Sequence, residues 1–253
     1  MSPKLIAPMA EEAPSVRAVM RDALRGRLPR RYQAFWRGPF VAELDGAMRP
    51  GMEILDIGSG AEPTLAPAER PPGSRYVGLD ISRHELDRAP PGSYDEVRVA
   101  DVRERLPELA GRFDLIVSFQ VLEHVKPLDV AIENMRSYLR PGGVMVHRLS
   151  GGWSVASLVN RAVPERLAAW LELRLRGRDP DSVFPATYDR CTHAGLEGML
   201  GQFSSHRVVP QYTGALYFRF LRPLQALYLG FEEWTCRRDK RDLASYYVLS
   251  ARR

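Results

Sequence analysis

The chain has 253 residues and a formal net charge of +5, and 45% of its residues are hydrophobic. This length and composition allow a sizeable core, and α/β folds of this length are often single domains. Two cysteines, Cys191 and Cys236, are too few for a disulfide-based scaffold. Residues 1–13 have prolines and acids where a signal peptide would need an apolar core. These features predict a cytoplasmic protein with reduced thiols.

Arginine supplies nearly all of the basic residues, since only Lys4, Lys126 and Lys240 are lysines. The arginines are spread along the chain, whereas a nucleic-acid-binding protein more often shows a basic stripe interleaved with exposed aromatics, or an appended binding module. Neither pattern is visible, which disfavours nucleic acid as a partner.

No segment of the sequence predicts a membrane span or a metal site. The longest apolar stretch, 215–234, is interrupted by Arg219, Arg222 and Pro223. No cluster of cysteine and histidine has the spacing of metal ligands, so no metal is predicted. Peripheral contact with a membrane surface stays open, and so does the oligomeric state.

In chain order, the first predicted element is an N-terminal helical segment, residues 1–48. Its one or two helices lie within 15–48, where Pro29 and Pro39 are breaks. Large apolar side chains anchor this segment, namely Tyr32, Phe35, Trp36 and Phe40.

The remaining residues, 49–253, read as one domain in which strands and helices alternate, with a helix expected over 127–139. Seven strands are predicted, near 52–57, 75–80, 95–100, 113–119, 143–149, 205–210 and 245–251. This order predicts an α/β fold, a doubly wound Rossmann-like sheet that is mostly parallel and has helices on both faces.

The first of these strands leads into a glycine-rich turn. Asp56 stands near the end of the apolar run, and Gly58, Ser59 and Gly60 follow. Glycine has no Cβ, so the backbone can adopt positive φ and approach a bound molecule closely, with its N–H groups available as donors. The sequence therefore predicts a loop that lies against a ligand.

Two later strands also end on an aspartate, at Asp80 and Asp101. Asp56 precedes Asp80 by 24 residues, and Asp101 follows Asp80 by 21, which is about one βαβ repeat each. The three acids should lie along the carboxyl edge of a parallel sheet, where nucleotide-like ligands bind and where an acid about 20 residues beyond the glycine loop accepts from ribose hydroxyls. Each acid has a simpler interpretation as a helix N-cap. A dinucleotide-dependent oxidoreductase would require glycine at position 63, which is Pro63.

At these residues the sequence resembles the class I S-adenosylmethionine-dependent methyltransferases, in the group of small-molecule and quinone-biosynthesis enzymes. The likeness covers about residues 50–150 and continues through 113–124, FDLIVSFQVLEH, and 139–146, LRPGGVMV. One departure is 61–63, Ala-Glu-Pro, where many relatives have a third glycine.

The resemblance implies S-adenosylmethionine as the cofactor and an antiparallel seventh strand. Asp80 would bind the ribose, Ile81 would pack on the adenine ring, and Asp101 with the Val102 backbone would meet the edge of that ring. The cofactor-binding residues that the pattern implies are Asp56, Gly58, Ser59, Gly60, Asp80, Ile81, Asp101, Val102, Phe119 and Gln120.

Two histidines are candidate catalytic bases. His124 opens the helix after the fourth strand, near the expected methionine end of the cofactor, and His147 lies late in the fifth strand. Histidine is the usual proton acceptor near neutral pH, although a methyl transfer need not use a base. Both residues also have a structural interpretation, in which they only pack.

Two stretches are additional to the family core, at about 151–190 and 213–236. Both are rich in aromatic residues and follow strands whose loops lie near the ligand edge, so we expect helical cap insertions that wall a substrate pocket. Covering the sheet or forming a dimer interface is the alternative.

The predicted function is methyl transfer from S-adenosylmethionine, by in-line displacement, to a small or medium-sized acceptor. Aromatic insertions are compatible with an amphipathic acceptor, either lipid-like or sugar-containing. An RNA or DNA base methyltransferase and a non-catalytic binding protein with the same fold are the alternatives.

Overall fold

A computed structural model describes residues 15–33, 38–162 and 186–253. The helices are α1 Val16–Leu24, α2 Gly38–Ala47, α3 Arg83–Asp87, α4 Leu128–Tyr138, α5 Val155–Ala162, α6 His193–Leu200 and α7 Arg222–Arg237. The strands are β1 Glu53–Ile57, β2 Arg75–Asp80, β3 Glu96–Val99, β4 Phe113–Phe119, β5 Leu139–Ser150, β6 Ser205–Gln211 and β7 Tyr246–Arg252.

All seven strands form one sheet in the order β3-β2-β1-β4-β5-β7-β6. The first five are parallel, and β7 runs antiparallel between β5 and β6. These features confirm the doubly wound, Rossmann-like fold that the sequence predicted. The strand order reverses between β1 and β4, and the crevice at the carboxyl ends of strands at such a reversal is where ligands bind.

Helices cover both faces of the sheet and divide the core in two. On one face, α4 and α6 bury Ile132, Met135 and Leu196 against side chains of β4, β5 and β7. On the other face, α2 buries Phe40 and Leu44 against a second apolar cluster. Strands buried on both sides have nearly continuous apolar sequences, which is why β1 and β4 are recognisable in the sequence.

The fifth strand begins earlier than expected, at Leu139 instead of 143. Because α4 ends at Tyr138, the chain enters the sheet at once, with Leu139 opposite Phe113. The register then shifts before Leu115 pairs with Val144, across a turn in which Gly142 has a φ of +79°. The other strands begin and end within about one residue of their predicted limits, and the helix expected over 127–139 is confirmed as α4.

The N-terminal segment packs on the second predicted insertion, 213–236. Its α1 lies against α7, where a Cβ added at Gly230 would be 2.6 Å from the Met20 sulfur. Tyr32 donates to the buried Glu232 through a very short hydrogen bond, and the guanidinium of Arg31 lies 2.8 Å from Glu233. Residues 213–236 are therefore attached to α1 and the turn after it.

Much of the first insertion, 151–190, lies outside the described residues, as do Phe35 and Trp36 of the N-terminal segment. The described part of this insertion contains α5 and the half-exposed Trp153.

In the ranges that the structure describes, no helix combines the length and apolar character needed to cross a bilayer. No group of three potential metal ligands is found in those ranges.

A buried carboxylate shapes the loop after β1. Asp56 is fully buried, and its oxygens accept from the Thr64 backbone N–H at 2.7 Å, the Thr64 hydroxyl at 2.6 Å and the Tyr76 hydroxyl at 2.7 Å. Burial raises the pKa of Asp56 to about 6, although these hydrogen bonds oppose the shift. This pKa lies above the ordinary value of an unfolded aspartate, so the folded state binds the proton more tightly.

We expect Asp56→Asn to change how stability depends on pH. In the wild type, stability from Asp56 is fully present below about pH 4 and is lost as pH rises through about 6, with a total of about 3 kcal/mol. An asparagine amide can satisfy the same three partners without a charge. The variant should therefore be more stable than wild type at pH 7 and similar to it at pH 4. Urea unfolding of both proteins from pH 4 to 8 measures this difference, and a difference independent of pH would contradict the assignment.

Candidate functional site

The glycine loop lies at the reversal of the strand order. Gly58 and Gly60 have φ of +65° and +47°, a region that favours glycine. The Gly58 N–H donates to the Leu79 carbonyl at 2.7 Å, and a Cβ at Gly58 would be 2.5 Å from Val121 Cγ1. Gly58 is thus required both by its backbone conformation and by its contact with the chain after β4.

A tyrosine that sequence reasoning missed supports this loop. The Tyr94 hydroxyl lies 3.0 Å from the carbonyl oxygens of both Ser59 and Gly60, so one O–H can be shared between them. Its ring packs where a Cβ at Gly78 would be, since that atom would lie 2.8 Å from the ring. An isolated aromatic in a loop has no pattern that would have identified this role.

Asp80 lies between the glycine loop and α3. It is 7% exposed, and its two oxygens accept from the Gly60 N–H at 2.9 Å and the Ser82 N–H at 2.8 Å. Desolvation raises the pKa of Asp80, while these backbone bonds oppose the shift. Because a carboxylate can accept about four hydrogen bonds, capacity remains for a diol. Ile81 beside it is 56% exposed, an apolar surface next to an acid.

The third predicted acid, Asp101, is already paired. The Arg103 side chain contacts both of its oxygens, and the Arg103 N–H donates to one of them at 2.9 Å. Arg103 lowers the pKa of Asp101. The Val102 side chain is buried in the core, so only its backbone could meet a ligand. An amino group that binds Asp101 would have to share it with Arg103.

The chain leaves β4 through a residue in a rarely populated backbone conformation. Gln120 has a φ of +60°, and residues held this way often lie at functional sites. Its N–H donates to the Arg148 carbonyl at 2.7 Å, and its side-chain oxygen accepts from the Ser150 hydroxyl at 3.1 Å. The Gln120 Nε2 is buried and has no partner among the described residues. The preceding Phe119 packs edge-on against Phe40 at 5.4 Å between ring centroids.

His124 ends a short 3-10 turn just beyond Gln120, and its ring is partly exposed. Its Nδ1 is buried and has no hydrogen-bond partner in the described part of the chain. The neighbouring Glu123 is buried, and its backbone carbonyl accepts from the N–H groups of Thr187 and Tyr188, both at 2.9 Å. The turn after β4 is thereby connected to the chain that leads to α6.

His147 occupies the helix-packed position that was one of its two predicted alternatives. It is fully buried on the face of the sheet covered by α4 and α6, and its Nδ1 lies 2.7 Å from the Ser118 hydroxyl. Burial lowers the pKa of His147 to about 3, so the ring stays neutral. A base must reach its acceptor, and His147 is enclosed. The burial of His147 favours its packing interpretation over the predicted catalytic one.

The predicted site residues therefore fall into two groups. Those at the carboxyl edge of the sheet are Gly58, Ser59, Gly60, Asp80, Ile81, Asp101, Phe119, Gln120 and His124. Those whose side chains lie in the interior are Asp56, Val102 and His147. Asp56 acts on the shape of the loop through Thr64 and Tyr76, and its carboxylate is fully buried.

Comparison with known proteins identifies relatives of this chain. The sequence profile of a methyltransferase domain matches residues 25–194. A ubiquinone biosynthesis O-methyltransferase from Chelativorans sp. is 34% identical over 99 residues, covering 38% of this chain and 39% of the relative. A protein of the same name from Bradyrhizobium diazoefficiens is 28% identical over 174 residues, covering 67% of this chain and 64% of the relative. The matches thus span about two fifths to just under two thirds of these relatives.

Solved structures show the same fold. A SAM-dependent methyltransferase from Archaeoglobus fulgidus superimposes with a TM-score of 0.52 at 17% identity, covering 88% of this chain and 98% of that chain. The profile match covers about two thirds of the sequence and includes the glycine loop, the edge acids and the turn after β4. The chain therefore belongs to the class I S-adenosylmethionine-dependent methyltransferase family.

Proposed function

We propose that this protein transfers the methyl group of S-adenosylmethionine to a small-molecule acceptor. The observation that carries the proposal is Asp80, whose carboxylate is fixed by the Gly60 and Ser82 N–H groups between a glycine loop and the exposed Ile81. A carboxylate beside a glycine loop and an apolar side chain suits a ribose with an attached base.

The donors and acceptors at this edge fit such a cofactor. Ser59 Oγ and Gln120 Nε2 are buried without a partner among the described residues, and buried polar groups normally have one. Ser59 belongs to the glycine loop after β1 and Gln120 to the segment after β4, in which Val121 lies against Gly58. These groups suit the hydroxyls and the charged amino-acid end of S-adenosylmethionine.

Each residue at the edge has a role in binding. Asp80 would accept from the ribose hydroxyls, Ile81 would pack on the adenine ring and Asp101 would accept from its amino group. Phe119 and Gln120 would lie beside the methionine end. The bound cofactor supplies a methyl group that its sulfonium already makes electrophilic, so the protein mainly aligns the acceptor and excludes water.

His124 is the remaining candidate base. Its Nδ1 lacks a partner within the described residues and lies one turn beyond Gln120. A neutral imidazole there could take the proton of an acceptor hydroxyl as the methyl group is transferred.

Two observations support a small acceptor with apolar surface. Relatives include ubiquinone biosynthesis O-methyltransferases and a polyketide methyltransferase from Ustilaginoidea virens. Trp153 and Tyr217, one from each predicted insertion, are about half exposed. A lipid-like acceptor, or one with a sugar, is compatible with such a surface, and the two insertions would then act as the cap.

Turnover tests the proposal directly. The protein should convert labelled S-adenosylmethionine to S-adenosylhomocysteine in cell extract, with the label recovered in a small molecule and nuclease treatment without effect. Loss of the activity after nuclease treatment would favour a nucleic-acid acceptor. Cofactor binding with no turnover in any extract would favour the non-catalytic alternative.

Asp80→Ala should weaken binding of S-adenosylhomocysteine by roughly 2 to 4 kcal/mol, because two charge-assisted hydrogen bonds to ribose are lost. Titration calorimetry measures this. Asp87→Ala is a matched control, since Asp87 is an exposed acid on α3 that pairs with Arg83. A folded Asp80→Ala protein with wild-type affinity would remove Asp80 from the site.

Asp101→Asn should weaken binding of the adenosyl cofactor more than it weakens binding of a purine analogue of that cofactor that lacks the exocyclic amino group. Arg103→Gln should instead increase the preference for the adenosyl cofactor over the analogue, because it releases the Asp101 carboxylate from Arg103. Competition binding with the two ligands gives the ratio for each variant. Equal losses for both ligands in Asp101→Asn would place the adenine amino group elsewhere.

His124→Gln should slow turnover, because the proton acceptor is lost while the side chain stays polar. Cofactor affinity should change little. His84→Gln on α3 is the control for loss of a histidine. If His124→Gln turns over at the wild-type rate, His124 is not the proton acceptor.

A further inference from the structure

A buried arginine lies at the acceptor side of the proposed site. Arg148 is fully buried near the carboxyl end of β5. Its guanidinium is 4.9 Å from the centroid of the Phe119 ring and 4.0 Å from that of Tyr246. Burial lowers the pKa of Arg148, and the neighbouring Tyr246 and Glu123 oppose this shift. An arginine retains its charge even when buried, so a fixed cation stands behind this end of the sheet.

The cation is connected to the surface through two tyrosines. The Tyr246 hydroxyl donates to the Tyr217 oxygen at 2.8 Å, and the rings stack with centroids 6.4 Å apart. Burial raises the pKa of both phenols, so both stay protonated near neutral pH and act as donors. Because Tyr217 accepts from Tyr246, its own proton is available to a further acceptor. Tyr217 is 47% exposed, so a ligand can reach it.

Buried amides on neighbouring strands add unsatisfied polar groups. Gln211 stands opposite Tyr246 in the β6–β7 register and is 6% exposed. Neither atom of its amide has a partner in the part of the chain that the structure describes, and the same holds for the Gln120 Nε2. Glu123 is the nearby carboxylate, and one of its oxygens accepts from the Ser150 N–H at 3.2 Å. Two amide N–H donors, those of Gln120 and Gln211, and two acceptors, the Gln211 Oε1 and the second Glu123 oxygen, are thus without a partner in the described ranges, beside a buried cation.

We propose that the methyl acceptor is an anionic small molecule whose carboxylate or other ionised oxygen accepts a hydrogen bond from the Tyr217 hydroxyl, with Arg148 as the positioning cation behind it. Donors in a partly desolvated site favour a negative oxygen over a neutral one, and the effect is strongest where the surroundings are already fixed. This inference rests on the proposed function, because it concerns the acceptor side of the same site.

Benzoate and its neutral isostere benzamide are suitable probes, since they differ only in the charged group. With the full chain saturated with S-adenosylhomocysteine, we expect benzoate to bind at least about tenfold more tightly than benzamide. Tyr217→Phe should reduce this preference to less than about threefold. Tyr212→Phe is the matched control, because its hydroxyl is buried without a partner within the described ranges, and it should leave the preference intact.

Arg148→Met should also abolish the preference, and Arg148→Lys should restore part of it, whereas affinity for S-adenosylhomocysteine should stay the same in both. A merely structural arginine would not change charge selectivity at constant cofactor affinity. If Arg148→Met does not fold, Tyr217→Phe decides the question alone, since Tyr217 is near the surface. Equal binding of the two probes by wild type, or an unchanged preference in Tyr217→Phe, would overturn the inference. Failure of wild type to bind S-adenosylhomocysteine would instead reject the proposed function.

Discussion

The hydrogen bond from the Gly60 N–H to the Asp80 carboxylate links the two strand ends on which the site depends. It joins the loop after β1 to the end of β2 and fixes the acid before any ligand binds. Tyr94 supports the same loop from the other side, through the carbonyls of Ser59 and Gly60. A preorganised acid loses little conformational entropy on binding, which makes each ligand hydrogen bond more effective. The hydrogen bond from the Thr64 hydroxyl to the buried Asp56 carboxylate fixes the chain that follows the glycine loop.

The acceptor side is built from different parts of the chain. Tyr246 begins β7, Tyr217 follows β6, and Glu232 of α7 accepts from both the Gly214 N–H and the Ser245 hydroxyl. The same carboxylate binds Tyr32 of the N-terminal segment. One buried acid therefore ties together the segments that carry the two tyrosines. The family match ends at residue 194, so Tyr217, Glu232 and Tyr246 lie outside the matched range.

Predictions from the sequence were most accurate where one physical pattern dominates. Apolar runs that end in an acid gave the limits of β1 and β2, because a strand buried on both faces tolerates few polar residues. The glycines at 58 and 60 were identifiable since they need positive φ. The roles of Tyr94 and Arg148 were not visible. Both depend on contacts between strands and loops that are distant in the chain, and neither belongs to a local pattern.

The sequence by itself determined the order of strands and helices along the chain, the glycine loop, and the acids at the ends of the first three strands. These follow from local periodicity and from the spacing of βαβ units. Tertiary structure decided which side chains of those motifs are buried and which contacts they make. His147 and Arg148 are adjacent in sequence, yet successive residues of a strand point to opposite faces. His147 is therefore enclosed beneath α4 and α6 and Arg148 lies beside Phe119 and Tyr246, a difference set by how the sheet is covered.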